Sequence, residues 1–267
     1  MKKLLTFILI SALCLTGSVA ADEPQVVKTD SLLIELRQSA IEAMAERNEK
    51  GLLETRAKLE RLVTMSDQAW LIQHYIGWMD YNLVIIHFSK GEKDKAGKVL
   101  DRAIKQLDLS KQGNNKFAET HALLSGCYGM KIGLAPIKSM YYGPKSGSRI
   151  NEAKKLAPNN PRVHLIDGIG KMNTPSLFGG GNKVARKSFR LADSLFSVYV
   201  SPAPTYPNWG SLEPKIWLAQ IEMKEENLSA ARGLLEEVLK ADPENLWVKR
   251  GLMPELEELE TLAAAEE

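Results

Sequence analysis

A small residue, a bulky apolar residue and a second small residue (Val in the last case) recur four times along the chain, at spacings of four and three residues. Such spacings place the three side chains of a set on one face of an α-helix. A helix stop follows each set, at Asp108, Pro158, Ser197 or Pro243. Internal repetition of this kind predicts stacked helical hairpins, which bury their apolar faces against one another. The sets are Ala96/Leu100/Ala103, Ser146/Ile150/Ala153, Ala185/Phe189/Ala192 and Ala231/Leu235/Val238.

The four sets are not evenly spaced. Their first residues lie 50, 39 and 46 residues apart, whereas a repeat that consists of one helical hairpin occupies about 34 residues. The excess falls on segments rich in Gly, Pro, Ser or Asn. A solenoid tolerates such insertions because each repeat contacts only its neighbours. Three inserted segments are therefore predicted, at 133–148, 173–182 and 201–210.

The second helix of each unit resembles that of tetratricopeptide-repeat (TPR) proteins, with small residues at two positions, a bulky residue between them and a terminal Pro. The early Trp of the family pattern is absent from its expected positions in the first helices, and Trp217 is displaced by two residues. The resemblance covers about residues 67–246, and it implies an all-α fold, a right-handed solenoid of stacked antiparallel helical hairpins with inserted loops. It implies a binding platform without identifying the ligand. The first-helix matches are Leu124, Ser125, Tyr128, Gly168, Leu218 and Ala219.

The N-terminus has the features of an export signal. Lys2 and Lys3 precede the apolar run 4–15, which is too short to span a membrane. Ser18-Val19-Ala20 is a cleavage site of the small-x-small type. We therefore expect cleavage near Ala20/Ala21 and an exported, periplasmic protein with no transmembrane segment in the mature chain.

The remaining chain is predicted to be almost entirely helical. The predicted divisions are a signal peptide at 1–20, N-terminal capping helices at 21–66, a TPR-like helical-repeat domain at 67–246, and a C-terminal capping helix with an acidic tail at 247–267. Helices are predicted at 29–47, 49–64, 68–89, 93–108, 115–133, 148–157, 161–172, 183–198, 213–224, 227–241 and 245–262.

Charge is unevenly distributed along the chain. The full chain has a net charge of +2, and loss of Lys2 and Lys3 with the signal peptide leaves none. Residues 131–201 hold 12 Lys or Arg and 3 Asp or Glu, whereas residues 202–267 hold 6 and 14. The basic middle indicates an anionic partner. The other interpretation is that the basic and acidic stretches meet within the fold or face solvent.

The working surface is predicted in this basic middle section. A protein or peptide segment, of anionic character, would meet charged side chains there, and aromatic side chains on the adjoining loops would supply contact area. A concave groove lined by the first helices is the other surface that a solenoid offers, and it would carry Asp167 and Glu222. The charged candidates are Lys171, Lys183, Arg186, Lys187 and Arg190, and the aromatic candidates are Tyr141, Tyr142 and Phe178.

The inserted segments allow two interpretations each. Phe178, Tyr206 and Trp209 either bind a partner or fold back and fill the gaps between hairpins. The run 179–181 consists of three glycines before a helix rich in Lys and Arg, so its amide groups either hold an anion or form a tight turn that needs positive φ angles. The turn is favoured, because no strand precedes the glycines as it does in phosphate-binding loops.

One aromatic helix also allows two interpretations. Trp70, His74, Trp78 and Tyr81 share one face of the helix predicted at 68–89, because they lie three or four residues apart. Core packing is favoured over a recognition groove.

No enzyme or metal signature is present. The sequence lacks His-Glu-x-x-His, Cys-x-x-Cys and Gly-x-Ser-x-Gly, and its histidines show no ligand spacing. Cys14 lies in the signal peptide, and Cys127 is predicted to be a small buried apolar side chain. We therefore predict no catalytic residue, no metal and no cofactor. Nucleic acid is excluded as a partner by the export signal and by the lack of nucleic-acid-binding motifs.

These observations predict a non-enzymatic, exported helical-repeat scaffold that binds a protein or peptide in the periplasm. The alternative is a small-ligand or solute-binding component that accompanies a transporter, with the inserted loops closing a pocket lined by Tyr141, Phe178 and Trp209. A continuous open groove would favour the first function, and a closed cavity would favour the second. The sequence does not identify the partner, the pathway or the oligomeric state.

Overall fold

The computed structural model describes residues 29–266, and the predicted signal peptide lies outside this range. Within it the protein has eleven α-helices and no β-strand. Among the described helices, none combines the length and the apolar composition that a membrane span needs. The helices are α1 (Thr29–Ala45), α2 (Glu49–Leu62), α3 (Ala69–Ser89), α4 (Lys93–Gly113), α5 (Ala118–Leu134), α6 (Ser139–Leu156), α7 (Pro161–Met172), α8 (Asn182–Phe196), α9 (Glu213–Lys224), α10 (Leu228–Ala241) and α11 (Met253–Glu266).

The first ten helices form five hairpins, α1/α2, α3/α4, α5/α6, α7/α8 and α9/α10. The first helices α3, α5, α7 and α9 lie side by side, and each second helix also packs against the first helix of the next hairpin. This arrangement confirms the predicted all-α solenoid of stacked antiparallel hairpins with inserted loops.

The repeated residues lie where the two helices of a hairpin meet. Ala185, Phe189 and Ala192 of α8 are completely buried. The Phe189 ring lies against Gly168 of α7, where an added Cβ would come within 2.5 Å of the ring. Small residues therefore allow the close approach that the pattern predicts. The other sets are equally buried apart from Ser146 and Ile150, which are partly exposed.

The first inserted segment differs from the prediction, because most of it is helical. Helix α6 begins at Ser139 and contains Pro144. This proline removes one helical hydrogen bond, but reciprocal hydrogen bonds join the helix to α5. Ser125 Oγ donates to Ser146 O at 2.9 Å, and Ser146 Oγ donates to Ser125 O at 3.0 Å. Contacts with α5 thus extend the helix through residues that favour turns.

Two further boundaries differ. Helix α4 continues past the predicted end at Asp108 to Gly113, because Leu107 and Ser110 prolong its buried face. At the C-terminus, the predicted helix 245–262 is a π-helical turn at Val248–Leu252 followed by α11.

The apolar core has two parts. The larger part extends from α1 to α9 and takes in Trp209 of the third inserted segment. The smaller part joins α9, α10 and α11. Cys127 is completely buried in the larger part, as predicted, and burial raises the pKa of its thiol.

Candidate functional site

The third inserted segment, residues 201–210, lies in the concave groove formed by the first helices. Side chains from three of these helices donate hydrogen bonds to its backbone: Arg37 of α1, Tyr75 of α3 and Arg162 of α7. The bonds from Arg37 Nη1 are 2.7 and 2.6 Å long, and the bond from Tyr75 Oη is 2.6 Å long. The acceptors are the carbonyl oxygens of Pro204, Thr205, Tyr206, Pro207 and Trp209.

The composition of this segment explains the polarity of these contacts. Pro202, Pro204 and Pro207 have no N–H group, so the segment presents more acceptors than donors. Arginine and tyrosine side chains supply the missing donors. The segment is therefore held by side chains of the helices, as a bound peptide would be, but from within the same chain.

Aromatic packing fixes the segment in the groove. Trp209 stacks on Trp78 with ring centroids 5.5 Å apart. Tyr206 makes edge contacts with Trp70 and Phe117, at centroid distances of 6.1 and 5.3 Å. The aromatic face of α3 thus packs against the chain's own segment, and Tyr206 and Trp209 fill gaps between hairpins.

A row of buried, hydrogen-bonded polar side chains lies beneath the aromatic groups. His74 Nδ1 is 3.0 Å from Thr120 Oγ1, which is 2.9 Å from Ser110 Oγ. His74 Nε2 is buried and has no hydrogen-bond partner within residues 29–266. Burial, assisted by the charge of Arg162, lowers the pKa of His74 to about 3. The imidazole is therefore neutral, and its position suits packing rather than acid–base chemistry.

Arg162 also forms the most deeply buried ion pair described. Its Nε lies 3.0 Å from Glu119 Oε2, and both side chains are 2% exposed. Asn160 Nδ2 donates to the other carboxylate oxygen at 2.8 Å. Burial raises the pKa of Glu119, while Arg162 and Asn160 oppose that rise. Arg162 thus joins α5 and α7 to the 201–210 segment.

An ion pair also bridges each junction between hairpins from α2 to α9. In three of the four, a carboxylate on a first helix meets a base on the preceding second helix; the signs are reversed at the α4/α5 junction. These contacts orient the carboxylates towards neighbouring helices. The pairs are Arg56–Asp80, Asp101–Lys131, Lys154–Asp167 and Arg186–Glu222.

Three of the predicted site residues take part in such pairs, and Lys171 contacts one of them. Asp167 contacts Lys154 and also Lys171, at an Oδ2–Nζ distance of 2.8 Å. These bases and Ser188 hold the pKa of Asp167 below its usual value despite burial. Arg186 contacts Glu222. Asp167, Arg186 and Glu222 therefore join helices, and Lys171 joins α7 to α8 by donating to Ser188 Oγ at 3.1 Å.

The other three basic candidates form an exposed row on α8. Lys183, Lys187 and Arg190 lie at spacings of four and three residues, and all three are exposed. None has a carboxylate partner within residues 29–266. The row therefore carries positive charge that no described carboxylate neutralises.

The predicted aromatic candidates do not form one site. Tyr142 stacks on Tyr128 at 5.9 Å and contacts Tyr141 edge-on at 4.9 Å. Lys145 Nζ lies 3.8 Å from the centroid of the Tyr141 ring, in cation–π geometry. Phe178 lies on a different turn and is 76% exposed. The tyrosines thus form a cluster around a lysine on α6.

The structure does not bring Tyr141, Phe178 and Trp209 together around a cavity. Tyr141 and Phe178 are exposed, whereas Trp209 is buried in the groove. Two clefts, of about 350 Å³ between α4, α5 and α6 and about 460 Å³ between α1 and the 201–210 segment, are open to solvent, and none of the three residues lines either. Within the described range, no group of His, Cys, Asp and Glu is arranged to hold a metal.

The glycine run forms a turn. Gly179 and Gly181 have φ angles of +80° and +97°, and a Cβ on Gly180 would come within 2.0 Å of Thr174 O. All three glycine amides donate within the turn, to Ser176, Pro175 and Lys171 carbonyls respectively. These amides are therefore engaged in holding the turn.

Arg37, Tyr75 and Arg162 were not identified by the sequence pattern. The signal for them is the proline-rich run 201–210, whose carbonyls require side-chain donors. The prolines thus indicate that the segment has more hydrogen-bond acceptors than donors. Which side chains supply the donors depends on the tertiary structure.

The chain matches no protein-family model and no curated protein sequence. Its fold is shared with solved structures. The HusA haemophore from Porphyromonas gingivalis aligns with a TM-score of 0.61 and 19% identity over 75% of this chain and 96% of that protein. A thermophilic TPR protein from Thermus thermophilus aligns with a TM-score of 0.52 and 16% identity over 80% of this chain and 95% of that protein. At these identities the similarity establishes a helical-repeat fold.

Proposed function

We propose that the protein is a non-enzymatic, exported helical-repeat scaffold that binds an anionic protein or peptide segment on the outer face of α8. The observation that carries the proposal is the exposed row of Lys183, Lys187 and Arg190. The 201–210 segment occupies much of the concave groove, which is the usual alternative surface of a solenoid. The partner therefore binds outside the groove.

The charge of the surrounding chain supports this surface. Residues 168–192 contain no Asp or Glu, and the nearby Glu222 and Glu225 are both paired with Arg186, so the row adds unpaired positive charge to this surface. Unpaired positive charge accelerates the diffusional encounter with an anionic partner. Tyr141, on the neighbouring hairpin and 59% exposed, supplies additional contact area.

The test begins with capture of partners from the native compartment, followed by binding kinetics across a salt series. Charge reversal at Lys183 and Lys187 should slow association more than it speeds dissociation. Salt should weaken binding to the parent, because the Debye length falls from about 10 Å at 0.1 M to about 3 Å at 1 M.

The matched control reverses the exposed Lys58 and Arg61 of α2, which gives the same change in net charge far from α8. This variant should bind nearly as fast as the parent. Equal slowing in both variants would show a response to net charge alone and would contradict the proposed site. So would an affinity that is insensitive both to salt and to charge reversal on α8.

Export has its own test. The motif 18–20 predicts that the mature chain begins near Ala21. Mass spectrometry of the protein from its native cells should find this N-terminus in the periplasmic fraction. A cytoplasmic chain that retains Met1 would contradict export.

A second candidate function is binding of a small amphiphilic ligand of the haem type. The similarity in fold to a haemophore favours this function, since the alignment with this chain covers 96% of that protein. Exposed apolar side chains close to lysines would suit a planar ligand that carries carboxylates. Titration with haemin should then give a saturable absorbance change at one ligand per chain. A change that rises linearly without saturation would exclude this function.

A further inference from the structure

Two hairpin turns in the middle of the stack carry large apolar side chains that are almost wholly exposed. Ile137 and Met140, at the α5–α6 turn, are 90% and 91% exposed. Leu177 and Phe178, at the α7–α8 turn, are 87% and 76% exposed. Because α5 and α7 lie side by side, both turns lie at the same edge of the stack. Residues 135–142 and 173–181 are called the turn edge below.

Both turns hold these side chains outwards on ordered backbone. Each contains a short 3-10 helix, at Pro136–Lys138 and at Ser176–Phe178. The amide of Lys138 donates to Ala135 O, and the amide of Phe178 donates to Pro175 O, both at 2.9 Å. The apolar side chains thus protrude from turns that are already structured, so little backbone ordering remains for a binding event.

Neither turn contains an acidic residue, and the charged residues nearest to each turn in the sequence are basic. No Asp or Glu occurs at residues 120–151 or 168–192. The exposed Lys138 lies within the first turn, and the exposed Lys183 follows the second. The outer turns of the same edge are different in kind: Lys90-Gly91-Glu92 and Glu225-Glu226-Asn227 are polar and contain acids. Of these four described turns, only the two in the middle combine exposed apolar tips with sequence neighbours that are basic alone. Glu225 of the adjacent turn is paired with Arg186.

We propose that the turn edge docks onto a membrane surface that contains anionic phospholipid, with Ile137, Met140, Leu177 and Phe178 inserted below the headgroups. Anionic headgroups lie over an apolar layer, and this order matches lysines set behind apolar tips. Exposed apolar patches mark either membrane or protein contacts. Tips that protrude this far would need a matching cavity on a protein, whereas a fluid bilayer conforms to them.

This inference goes beyond the proposed function and does not depend on it. The membrane contact uses the apolar tips of the turns, whereas the proposed partner meets Lys187 and Arg190 further along α8. Lys183 and Tyr141 lie where the two surfaces meet. An exported scaffold of this kind would be held at the membrane through the turn edge and would present the outer face of α8 to its partner.

The test is co-sedimentation of the purified chain with vesicles of phosphatidylcholine, with and without phosphatidylglycerol. The parent should bind the anionic vesicles, and binding should weaken in high salt. The variant Ile137→Ser/Leu177→Ser removes two apolar tips and no charge. Its partition onto anionic vesicles should fall by about tenfold or more, because the apolar area available for insertion is lost.

The matched control is Val198→Ser/Val200→Ser, which changes two apolar residues that are 75% and 84% exposed beyond the other end of α8. The control should bind vesicles as the parent does. Lack of binding by the parent at low salt, or equal loss in the control, would overturn the proposal. If the turn-edge variant loses a captured protein partner but still binds vesicles, the turn edge is a protein interface instead.

A local probe separates insertion from simple electrostatic adsorption. Leu177→Cys can be labelled selectively with an environment-sensitive dye, because Cys127 is completely buried. Anionic vesicles should shift the emission of this dye to the blue, and a dye at Val200→Cys should not respond. Vesicle binding without a shift at residue 177 would contradict insertion. Because the probe reports on lipid alone, its result is independent of any protein partner at α8.

Discussion

The rings of Trp78 and Trp209 stack with their centroids 5.5 Å apart and their planes 22° from parallel, which joins the middle of α3 to the third inserted segment. Helical solenoids usually offer their concave face to partners. Here that face holds residues 201–210 of the same chain, which contribute aromatic rings to the core and accept hydrogen bonds from three helices. The inserted segment is thus part of the folded domain.

Replacement of Trp209 by Ala should destabilise the fold strongly. The indole is 7% exposed, and removal of a buried aromatic side chain costs about 3–5 kcal/mol in the free energy of unfolding. Urea denaturation measures the loss. Phe178→Ala is the matched control; because its ring is 76% exposed, the change should stay within about 0.5 kcal/mol. Equal stability of both variants would mean that the 201–210 segment does not pack in the groove.

Two glycines of α7 should respond in opposite directions to replacement by Ala. A Cβ on Gly168 would come within 2.5 Å of the Phe189 ring, whereas a Cβ on Gly170 meets nothing within 4 Å. Gly168→Ala should therefore cost about 1–3 kcal/mol through overpacking. Gly170→Ala should raise stability by as much as about 1 kcal/mol, because Ala favours the helix. Thermal unfolding of the two variants tests the α7/α8 contact, and similar shifts in both would contradict it.

Loss of Arg162 should be costly because it leaves a buried carboxylate without its base. Arg162→Met should reduce the free energy of unfolding by about 3–5 kcal/mol, the usual effect of breaking a buried pair. Arg190→Met on the exposed face of α8 is the control and should have little effect. Adding Glu119→Gln to Arg162→Met should restore part of the loss. If Glu119→Gln lowers the free energy of unfolding further, the unpaired Glu119 carboxylate is not the cause of the loss in Arg162→Met.

Acid should destabilise the protein through His74. Its pKa is about 3 in the folded state, against an ordinary value of 6.5. Between these values the unfolded chain binds a proton that the folded protein does not, so this contribution to stability is present above pH 6.5 and falls as the pH is lowered. The slope is about 1.4 kcal/mol per pH unit.

The variant His74→Gln isolates this effect, because it cannot titrate. Its own structural cost should be constant with pH. The gap in free energy of unfolding between parent and variant should therefore narrow as the pH falls from 6.5 towards 4. Curves that stay parallel would show that His74 is accessible to protons in the folded protein.

Helices and their pairing could be predicted from the sequence because those signals are local. Ala185, Phe189 and Ala192 share one helix face by spacing alone, and that face is buried in the structure. The prediction was wrong where tertiary contacts overrode local preference. Helix α6 passes through Pro144 because Ser125 and Ser146 join it to α5, and one half of that contact lies on a different helix.

The positions of the candidate site residues show the same division. Charge counts predicted a basic middle section, and Lys183, Lys187 and Arg190 do form an exposed row. The sequence could not show that Asp167 and Glu222 are engaged by bases on neighbouring helices. The sequence around a carboxylate is the same whether the side chain lines a groove or pairs with a base on a neighbouring helix. Only the residues that contact it in the structure distinguish the two.

By itself the sequence determined an all-α chain of stacked helical hairpins interrupted by turn-rich segments, because helix-face spacing and turn-forming residues act over a few positions. Only the tertiary structure decided that residues 201–210 fill the concave groove while Ile137 and Leu177 protrude at the turn edge. The physical reason is that a side chain is buried only when the fold places other residues against it, and those residues come from distant parts of the sequence. The prolines of the 201–210 segment meet Arg37 and Arg162, whereas nothing in the described chain covers the apolar tips.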